Sequence, residues 1–482
     1  MLIAFGMFAV AFVTFLLIAV IYFYPGSAKV STIPGLDPSD SKEGNFPDIA
    51  AAGSLHEFLA KLHADHGPIA SFWYGPKFTV SVASPDLLSD LKGVFDRPAE
   101  LFSVYEPIVG PDGIRFTNGV EGRKRRALIN PVLAHDNLDQ FCITFSQLGQ
   151  EVVKKLSSTP NDDHIPLCQY SLALTIKALA QAAFGNYFKD DRKCYELKRN
   201  YEICWHEMEA RVGGELDQEG SENMKKVDEA LKELKKLIKE AAKERQTNPP
   251  KSNQKAFIDV ILENSSTYSD ATMISEAMSI MVEGFHTSGY LLAWTLYFIA
   301  THDDVEEKLY QEISKVIGNK ESVSHEDISK LKYLQQVLNE SMRLSALIPW
   351  AAKVQDLDIE LGGHIIPKGT SVITALGVVF QDETVWPLPN QFNPDRFSAE
   401  NVKGRSQFAF QPFGLPQRIC PGNQFALYEL SIFVSLLVRS FKWKLVEGQV
   451  VESVHHLVTS PKEEIWFTCL KKEDIFECHK EF

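Results

Sequence analysis

A short segment near the C-terminus constrains this chain more than any other part of its sequence. It reads Phe413-Gly-Leu-Pro-Gln-Arg418-Ile-Cys420-Pro-Gly422, so one cysteine stands in a frame of an aromatic ring, an arginine and glycines. A thiolate held in this way can bind haem iron through sulfur and favour cleavage of an O–O bond. Taken alone, the segment is weak evidence, because a free cysteine usually behaves as a small buried hydrophobe. A structural role for Cys420 therefore stays open at this point.

A second pattern places opposite charges on one helix face. Glu340 and Arg343 lie three residues apart in an apolar, helix-patterned run, and a proline-rich segment further along ends in Pro394-Asp-Arg396-Phe397. An exposed pair of this kind contributes only about 0–1 kcal/mol. A buried network of three charges would be costly to break on one side, because the loss leaves a desolvated charge without its partner. We therefore interpret Glu340, Arg343 and Arg396 as structural.

A third pattern lies in a long apolar helical run that continues to His302. It opens with Met281-Val-Glu-Gly284-Phe-His286-Thr287-Ser288. A glycine and a threonine inside a helix are ordinary, since a threonine there commonly bonds back to a carbonyl of the preceding turn. The three patterns occur together in one chain and in a fixed order, so they are stronger evidence for a functional site than any one of them alone.

Together these segments resemble the cytochrome P-450 monooxygenases, over nearly the whole chain as far as Thr459. The resemblance implies a mainly α fold with small β sheets, in which haem lies between a central helix, called the I helix, and the cysteine-ligand loop with the following L helix. Tyr24-Pro-Gly-Ser, Ile33-Pro-Gly-Leu and Ala375-Leu-Gly-Val-Val-Phe-Gln-Asp are also similar to animal cytochrome P-450 family twenty. That family is regarded as an orphan, so the resemblance implies no particular substrate.

The resemblance also implies roles for individual residues. Cys420 would be the axial ligand of the iron in haem b (iron protoporphyrin IX), Phe413 would shield its sulfur, and Gly422 would admit a tight hairpin. Three cations would pair with the haem propionates, namely Arg418, Arg126 and Lys353. Gly284 would mark a widened turn beside the iron, and Thr287 would be the alcohol that stabilises bound dioxygen. Glu340, Arg343 and Arg396 would be required for haem incorporation but not for chemistry.

Four positions depart from the usual pattern of that family. His286 stands where an acid usually relays protons; an imidazole can do this too, and the alternative is that His286 faces solvent and has no role. Pro416 replaces a glycine, so a turn with positive φ there would have to rearrange. Gly122 replaces a tryptophan ahead of Arg126. Lys353 replaces an arginine or histidine, and lysine offers a point charge in place of a planar fork.

The N-terminal residues are almost wholly apolar and uncharged from Met1 to Tyr24. A span of this length can cross a bilayer and exceeds a typical signal-peptide core. We predict a transmembrane signal anchor over 1–24, a linker over 25–47 and a catalytic domain over 48–482. The family resemblance implies the endoplasmic reticulum, with the catalytic domain in the cytosol. The alternative is a cleaved signal peptide.

Local patterns predict several further elements of the catalytic domain. Ser54 is a candidate N-cap for an amphipathic helix, and two short strands about a Gly-Pro turn are expected between Ile69 and Val82. A second β region is expected between Ile359 and Ile373, where glycines and a proline punctuate apolar runs. Most of the rest has helical periodicity.

Charge and cysteine content exclude some classes of protein. The formal net charge is -14, which argues against a nucleic-acid partner. The seven cysteines are scattered and form no Cys-x-x-Cys pair, which argues against a disulfide framework and a zinc site. The basic run Arg123-Lys-Arg-Arg126 has an exposed helix face as its ordinary interpretation. In the resemblance it lies where an acidic flavoprotein reductase docks.

The function implied by the resemblance is monooxygenation of a lipophilic small molecule. Electrons would come from NADPH through a flavoprotein reductase, and the enzyme would be bound to a membrane. A haem-thiolate isomerase or peroxygenase and a non-enzymatic haem-binding protein are the alternatives. We expect five stretches to line the substrate pocket: 103–117, 201–215, 278–287, 347–352 and 458–460.

Overall fold

The computed structural model describes residues 32–133, 138–212, 220–249, 255–264 and 268–472. The predicted anchor over 1–24 and the first part of the predicted linker lie outside these ranges. Within them, no helix is both long and apolar enough to cross a membrane. The prediction of a mainly α chain with small β sheets is confirmed.

Helices make up most of the described chain and are numbered here in chain order. They are α1 Phe46–Ala52, α2 Leu55–His66, α3 Pro85–Asp90, α4 Ala99–Phe102, α5 Glu106–Val109, α6 Gly119–Ile129, α7 Asp139–Ser157, α8 Leu167–Phe184, α9 Asp191–Val212, α10 Glu222–Thr247, α11 Phe257–Glu263, α12 Asp270–Gly284, α13 His286–Ala300, α14 Asp303–Val316, α15 His325–Lys330, α16 Lys332–Leu344, α17 Leu376–Gln381 and α18 Asn423–Ser440. Ser54 caps α2 as predicted, because its hydroxyl accepts the backbone N–H groups of His56 and Glu57.

The strands form four small sheets. They are β1 Ile69–Tyr74, β2 Lys77–Val82, β3 Ile165–Pro166, β4 Ala351–Lys353, β5 Ile359–Leu361, β6 His364–Ile366, β7 Ser371–Thr374, β8 Phe441–Leu445, β9 Ser453–His455, β10 Thr459–Pro461 and β11 Trp466–Lys471. The largest sheet has the order β1-β2-β7-β4, and its β2–β7 pair is parallel. The others are β3-β11-β8, β5-β6 and β10-β9. Both predicted β regions are therefore present.

The core is built around α13, which is apolar on all sides and is therefore buried rather than amphipathic. It packs against α8, α16 and α18. Gly289 allows the close approach to α8, because a Cβ there would lie 2.6 Å from Cδ2 of Leu172. Rings of Phe145, Phe425 and Phe433 pack edge to face between α7 and α18.

The central apolar run is two abutting helices rather than the single long helix predicted. Helix α12 ends at Gly284 and α13 begins at His286, with Phe285 at φ -86° and ψ -71° between them. The N–H of Phe285 still bonds to the carbonyl of Met281 (3.3 Å), and the N–H of Gly289 bonds to the carbonyl of Phe285 (3.0 Å). The interruption of the helix thus falls beside Gly284, the residue expected to mark a widened turn.

The second half of the predicted linker is folded onto the body of the protein. The backbone of Pro34 and Leu36 bonds to that of Ser71 in β1, and Asn45 bonds to Trp73 in the same strand. Helix α1 begins at Phe46, before the predicted end of the linker. The described residues of this segment are therefore hydrogen-bonded to the edge of the largest sheet.

Candidate active site

A deep cavity separates the junction of α12 and α13 from the loop that precedes α18. Cys420 lines it from the loop side, and Gly284 and Thr287 line it from the helix side. The loop is a hairpin closed by a hydrogen bond from the Cys420 N–H to the carbonyl of Phe413 (2.8 Å). Gly414 has a φ of +82°, which L-residues with a Cβ rarely adopt.

The surroundings of Cys420 act on its thiol in opposite directions. Burial and the nearby Glu283 raise the pKa of Cys420 to about 11, against the opposing influence of the Gly422 amide, Arg126 and Arg97. A thiol of this kind is protonated when free and loses its proton when it binds a metal ion. The backbone N–H of Gly422 is the hydrogen-bond donor that would stabilise the sulfur as a thiolate.

Four buried or half-buried cations gather at one side of the cavity: Arg97, Arg126, Lys353 and Arg418. Burial lowers the pKa of Arg97 to about 10, although Glu283 opposes this shift. Burial, followed by repulsion from neighbouring cations, lowers the pKa of Arg418 to about 9 and that of Lys353 to about 7. Lys353 lies in β4 within reach of the other charges, although its side chain is not part of the cavity lining.

This cation cluster has few anionic partners of its own. The guanidinium of Arg418 donates to Oδ1 of Asn118 (3.1 Å) and to the carbonyl of Ile114 (2.8 Å), and Arg126 donates to the carbonyl of Ile419. Among the described residues, no carboxylate forms an ion pair with any of the four cations. Buried cations that lack ion-pair partners favour the binding of an anionic ligand. A ligand with two neighbouring carboxylates would supply hydrogen-bond acceptors and negative charge to this cluster.

The helix wall carries a hydroxyl and an ion pair. Oγ1 of Thr287 donates to the carbonyl of Glu283 (2.8 Å), so the ordinary back-bond of a helical threonine is present, and the side chain also faces the cavity. The carboxylate of Glu283 pairs with Arg115, whose guanidinium lies 3.6 Å above the ring of Tyr105. Burial acts to raise the pKa of Glu283, but Arg115 and Arg97 outweigh it and hold that pKa below its usual value.

His286 is turned away from the cavity into an aromatic cluster. Its ring centroid lies 4.2 Å from that of Trp205, 4.4 Å from Phe285 and 5.5 Å from Tyr201. The residue is 2% exposed, and its Nδ1 has no hydrogen-bond partner among the described residues. Burial, with His206 and Lys198 nearby, lowers the pKa of His286 well below its usual value. His286 therefore does not face solvent, and its ring is not part of the cavity lining.

The remaining walls are mainly apolar, and each of the five predicted stretches contributes to them. Representative lining residues are Tyr105, Trp205, Ile280, Leu347 and Val458. The β9–β10 hairpin, which supplies Leu457 and Val458, is fixed through Thr459. Its N–H and hydroxyl donate to the carbonyls of Leu347 (2.9 Å) and Ala346 (2.7 Å), and its carbonyl accepts Nε1–H of Trp294 (3.1 Å).

Below the cavity, a buried charge network joins α16 to the segment before the cysteine loop. Glu340 binds Nε of Arg343 through Oε2 (2.7 Å) and Nε of Arg396 through Oε1 (3.1 Å). Both arginines also donate to backbone carbonyls, which include those of Phe380, Pro389, Pro387 and Leu388. Glu340 and Arg343 are fully buried and Arg396 is 8% exposed. The three predicted residues therefore do converge, and their polar atoms are widely satisfied.

Comparison with known proteins places this site in a family. The family profile described as Cytochrome P450 matches residues 42–467, which is most of the chain. The chain belongs to the cytochrome P450 family. Membership implies a haem cofactor and haem-thiolate oxidation, and the resemblance predicted from the motifs is confirmed. Individual roles of the site residues remain predictions.

The chain resembles some cytochromes P450 over nearly its full length. It is 34% identical to cytochrome P450 20A1 of Homo sapiens and 33% identical to that of Bos taurus, in each case over 473 residues that cover 97% of this chain and 99% of the relative. It is 25% identical to cytochrome P450 4V2 of Mus musculus over 442 residues, which cover 85% of this chain and 83% of the relative.

Two departures from the usual cytochrome P450 pattern have a local explanation. Pro416 opens a single 3₁₀ turn over Pro416–Arg418, a position where proline fits and its missing N–H costs little, while Gly414 carries the positive φ. At Gly122, a Cβ would lie 2.3 Å from the carbonyl oxygen of Thr117, so no larger side chain fits without movement of the backbone.

The sequence motifs did not predict two features of this cytochrome P450 site. Arg97 belongs to the cation cluster, and Arg115 with Glu283 places an ion pair in the apolar cavity. Arg97 could have been noticed, because it stands between Asp96 and Pro98 shortly after the apolar pair Val94 and Phe95. The partnership of Arg115 with Glu283 spans distant parts of the sequence and has no local pattern.

Proposed function

We propose that this cytochrome P450 is a monooxygenase that inserts one oxygen atom from dioxygen into a lipophilic small molecule. Cys420 and Thr287 line the same cavity from opposite sides, beside a cluster of buried cations that lacks ion-pair partners among the described residues. This arrangement is the observation that carries the proposal, because it offers a sulfur ligand, an anion site and a distal hydroxyl together.

The residues present fit haem b. Cys420 would hold the iron, and Arg97, Arg126, Arg418 and Lys353 would bind the propionates. Phe413 and Gly422 shape the loop around the sulfur. When bound, a haem-thiolate supplies the activation of dioxygen, and the protein supplies orientation and exclusion of water.

The chain's own side chains support a lipophilic substrate. The apolar walls would bind it by removing its surface from water, and the hydroxyl of Thr287 would hold a proton on the side of the cavity opposite Cys420. The Arg115–Glu283 pair is a polar feature that could orient a substrate carrying one polar group, since a buried Nε of Arg115 has no partner among the described residues.

The partners and location are proposed on the family pattern. A flavoprotein reductase would transfer electrons from NADPH, and residues 1–24 would anchor the enzyme in the endoplasmic reticulum with its catalytic domain in the cytosol. The uncharged, apolar composition of 1–24 supports the anchor.

The test is the ferrous carbon monoxide difference spectrum of the purified chain. We expect the long-wavelength Soret band of a haem-thiolate complex, and we expect Cys420→Ala to abolish it. The matched control is Cys469→Ala, at a buried cysteine in β11 that is not part of the cavity lining, which should retain the band. A folded, haem-loaded protein without the band would refute sulfur ligation.

A haem-thiolate isomerase or peroxygenase is the second candidate. The position of His286 outside the cavity lining favours it, because a proton relay to bound oxygen would need this side chain to reach the cavity. Product formation that requires reductase and NADPH would support monooxygenation. Product formation with peroxide, or with no redox partner, would support the second candidate.

A non-enzymatic haem-binding role makes a different prediction. In that case Thr287→Ala should leave function unchanged, whereas in a monooxygenase it should divert electrons to the release of hydrogen peroxide.

A further inference from the structure

One side of the cavity carries hydrogen-bond donors that have no acceptors. The Nε of Arg115, the hydroxyl of Tyr201 and the Nε1 of Trp205 are buried, and none of these atoms has a hydrogen-bond partner among the described residues. Tyr201 is fully buried and Trp205 is 1% exposed. A buried donor without an acceptor keeps its full desolvation cost, so such groups are rare in protein interiors. Packing alone does not explain why several of them occur together.

These donors belong to elements that meet at one side of the cavity. Arg115 and Trp205 line the cavity, and Tyr201 lies one turn before Trp205 in α9, with 6.0 Å between the two stacked rings. Helix α9 packs against the turn Ser103–Tyr105. The guanidinium of Arg115 lies 3.6 Å above the ring of Tyr105, and Tyr201 is close enough to act on Arg115 electrostatically. We call Arg115, Tyr201 and Trp205 the donor cluster.

The cavity wall does not supply the acceptor that the donor cluster lacks. Among the described residues of the lining, Glu283 is the only carboxylate, and Arg115 already binds it through a different nitrogen. This ion pair also neutralises the charge of Arg115. The hydroxyls of Ser279 and Thr287 donate to backbone carbonyls one turn earlier. The missing acceptor must therefore come from a molecule bound in the cavity, and it does not need to be charged.

We propose that the donor cluster is a specificity site that binds an uncharged acceptor oxygen of the substrate, such as that of a ketone, an ester or an ether. The hydrocarbon part of the same molecule lies against the apolar walls. A cationic substrate is disfavoured, because Arg97 lies near Arg115. An anionic substrate would compete with Glu283 for Arg115. This inference rests on the proposed monooxygenase function and names the class of molecule that its cavity accepts.

A site of this kind selects its ligand by the cost of leaving donors unpaired. A hydrocarbon of the same shape fills the cavity and excludes water, but it offers nothing to the three donors. A ketone satisfies them and gives up little when it leaves water, because it has no hydrogen-bond donor of its own. Sites built to bind a polar substrate group therefore discriminate strongly against analogues that lack the group.

The first test compares three probes of equal chain length: methyl undecyl ketone, tridecane and tridecanoate. Equilibrium dialysis of the purified holoprotein measures each affinity without relying on the iron. We expect the ketone to bind at least about tenfold more tightly than tridecane, the effect of one or two net hydrogen bonds. Equal affinities for the ketone and tridecane would refute the specificity site. Tightest binding of tridecanoate would refute the uncharged class of substrate.

The second test removes single donors and keeps an aromatic ring in place. We expect Tyr201→Phe and Trp205→Phe each to reduce the preference for the ketone over tridecane by about threefold to tenfold, while the affinity for tridecane changes by less than about twofold. Tyr195→Phe, at an exposed tyrosine of the same helix, is the matched control and should keep the wild-type preference. An unchanged preference in both donor variants would overturn the proposal.

Thermal unfolding of the ligand-free holoprotein separates this role from a structural one. Because the hydroxyl of Tyr201 has no partner, Tyr201→Phe should unfold at the wild-type temperature or above it. Methyl undecyl ketone should stabilise the variant less than it stabilises the wild type. A lower unfolding temperature with an unchanged preference among the probes would show a structural role and refute the proposal. Should Trp205→Phe not fold, Tyr201→Phe decides.

The carbon monoxide spectrum separates failure of this inference from failure of the proposed function. If the wild type shows the thiolate band but does not prefer the ketone, the specificity site is refuted while the monooxygenase stands. If the wild type lacks the thiolate band, the proposed function fails, and the dialysis still decides whether the donor cluster binds an acceptor oxygen.

Discussion

At the residue scale, burial determines the charge of several histidines. Burial lowers the pKa of His56 to about 3 and of His455 to about 4, and it lowers that of His286 well below the usual value. The two rings of His56 and His455 lie 4.5 Å apart, so protonation of either would also repel the other. These side chains are therefore neutral in the folded protein near neutral pH.

This burial predicts a stability that falls in mild acid. Below about pH 6.5 the unfolded chain binds protons at these histidines and the folded chain does not, so the free energy of unfolding decreases as the pH falls. We expect His286→Phe, which keeps an aromatic ring in the cluster, to reduce that decrease. Urea unfolding at about pH 5.5 and about pH 7.5 measures it. The exposed His164, changed to Phe, is the control, and an equal effect of both variants would contradict the prediction.

The sequence predicts single residues well where one residue type has one chemical use. Cys420, Glu340 and Arg343 stand in motifs whose spacing limits what they can do, and the structure brings them to the cavity or the network beneath it. The orientation of His286 was not predictable, because two of the rings that enclose it, those of Tyr201 and Trp205, come from the distant helix α9. Side-chain orientation depends on such distant partners more than on neighbours in the chain.

At the scale of elements, helix α6 places Arg126 beside the cysteine loop and depends on Gly122 to do so. We expect Gly122→Ala to destabilise the protein by about 1–3 kcal/mol, because its Cβ would collide with the Thr117 carbonyl. Thermal unfolding and haem content measure this effect. Gly93→Ala is the control, since a Cβ at Gly93 meets open space. Equal losses in both variants would argue against the collision.

The Glu340 network joins α16 to the segment that leads to the cysteine loop. We expect Arg396→Leu to cost about 3–5 kcal/mol and to lower haem incorporation, because Glu340 loses one cation and two backbone carbonyls lose their donors. Denaturant unfolding and the ratio of haem to protein measure the loss. Lys330→Met, which removes an exposed pair with Glu326, should change stability by less than about 1 kcal/mol.

Element prediction succeeded where periodicity is local and failed at one junction. The hairpin of β1 and β2 and the Ser54 cap follow from nearby residues. The division of the central run at Phe285 does not, because its apolar pattern continues through the break and only the backbone angles reveal it.

At the scale of the whole molecule, this acidic protein carries a small basic surface near Cys420, the proposed haem ligand. Arg125 and Arg126 of the basic run turn inward to Glu276 and the Ile419 carbonyl, which leaves Arg123 and Lys124 exposed. The reductase-docking hypothesis therefore concerns these two side chains. They lie on α6, which abuts the cysteine loop.

We expect the double variant Arg123→Glu and Lys124→Glu to raise the KM for reductase by about tenfold at low salt, because opposite charges steer the encounter. The effect should shrink as salt is added, while the carbon monoxide spectrum stays unchanged. The control variant reverses Lys235 and Lys239 of α10. A similar rise in that control would indicate a general effect of net charge rather than docking.

Thr459 joins three parts of the chain, and this has a consequence for how the cavity can vary. Its hydrogen bonds hold the first residue of β10 to Trp294 and to the segment after α16, while Leu457 and Val458 in the adjoining turn line the cavity. The chain is therefore fixed at Thr459, directly beside the two turn side chains that line the cavity. Substitutions at positions 457 and 458 would change the shape of the cavity wall while the backbone beside them stays in place. Related enzymes could acquire new substrates in this way without changes in the core that holds Cys420 and Thr287.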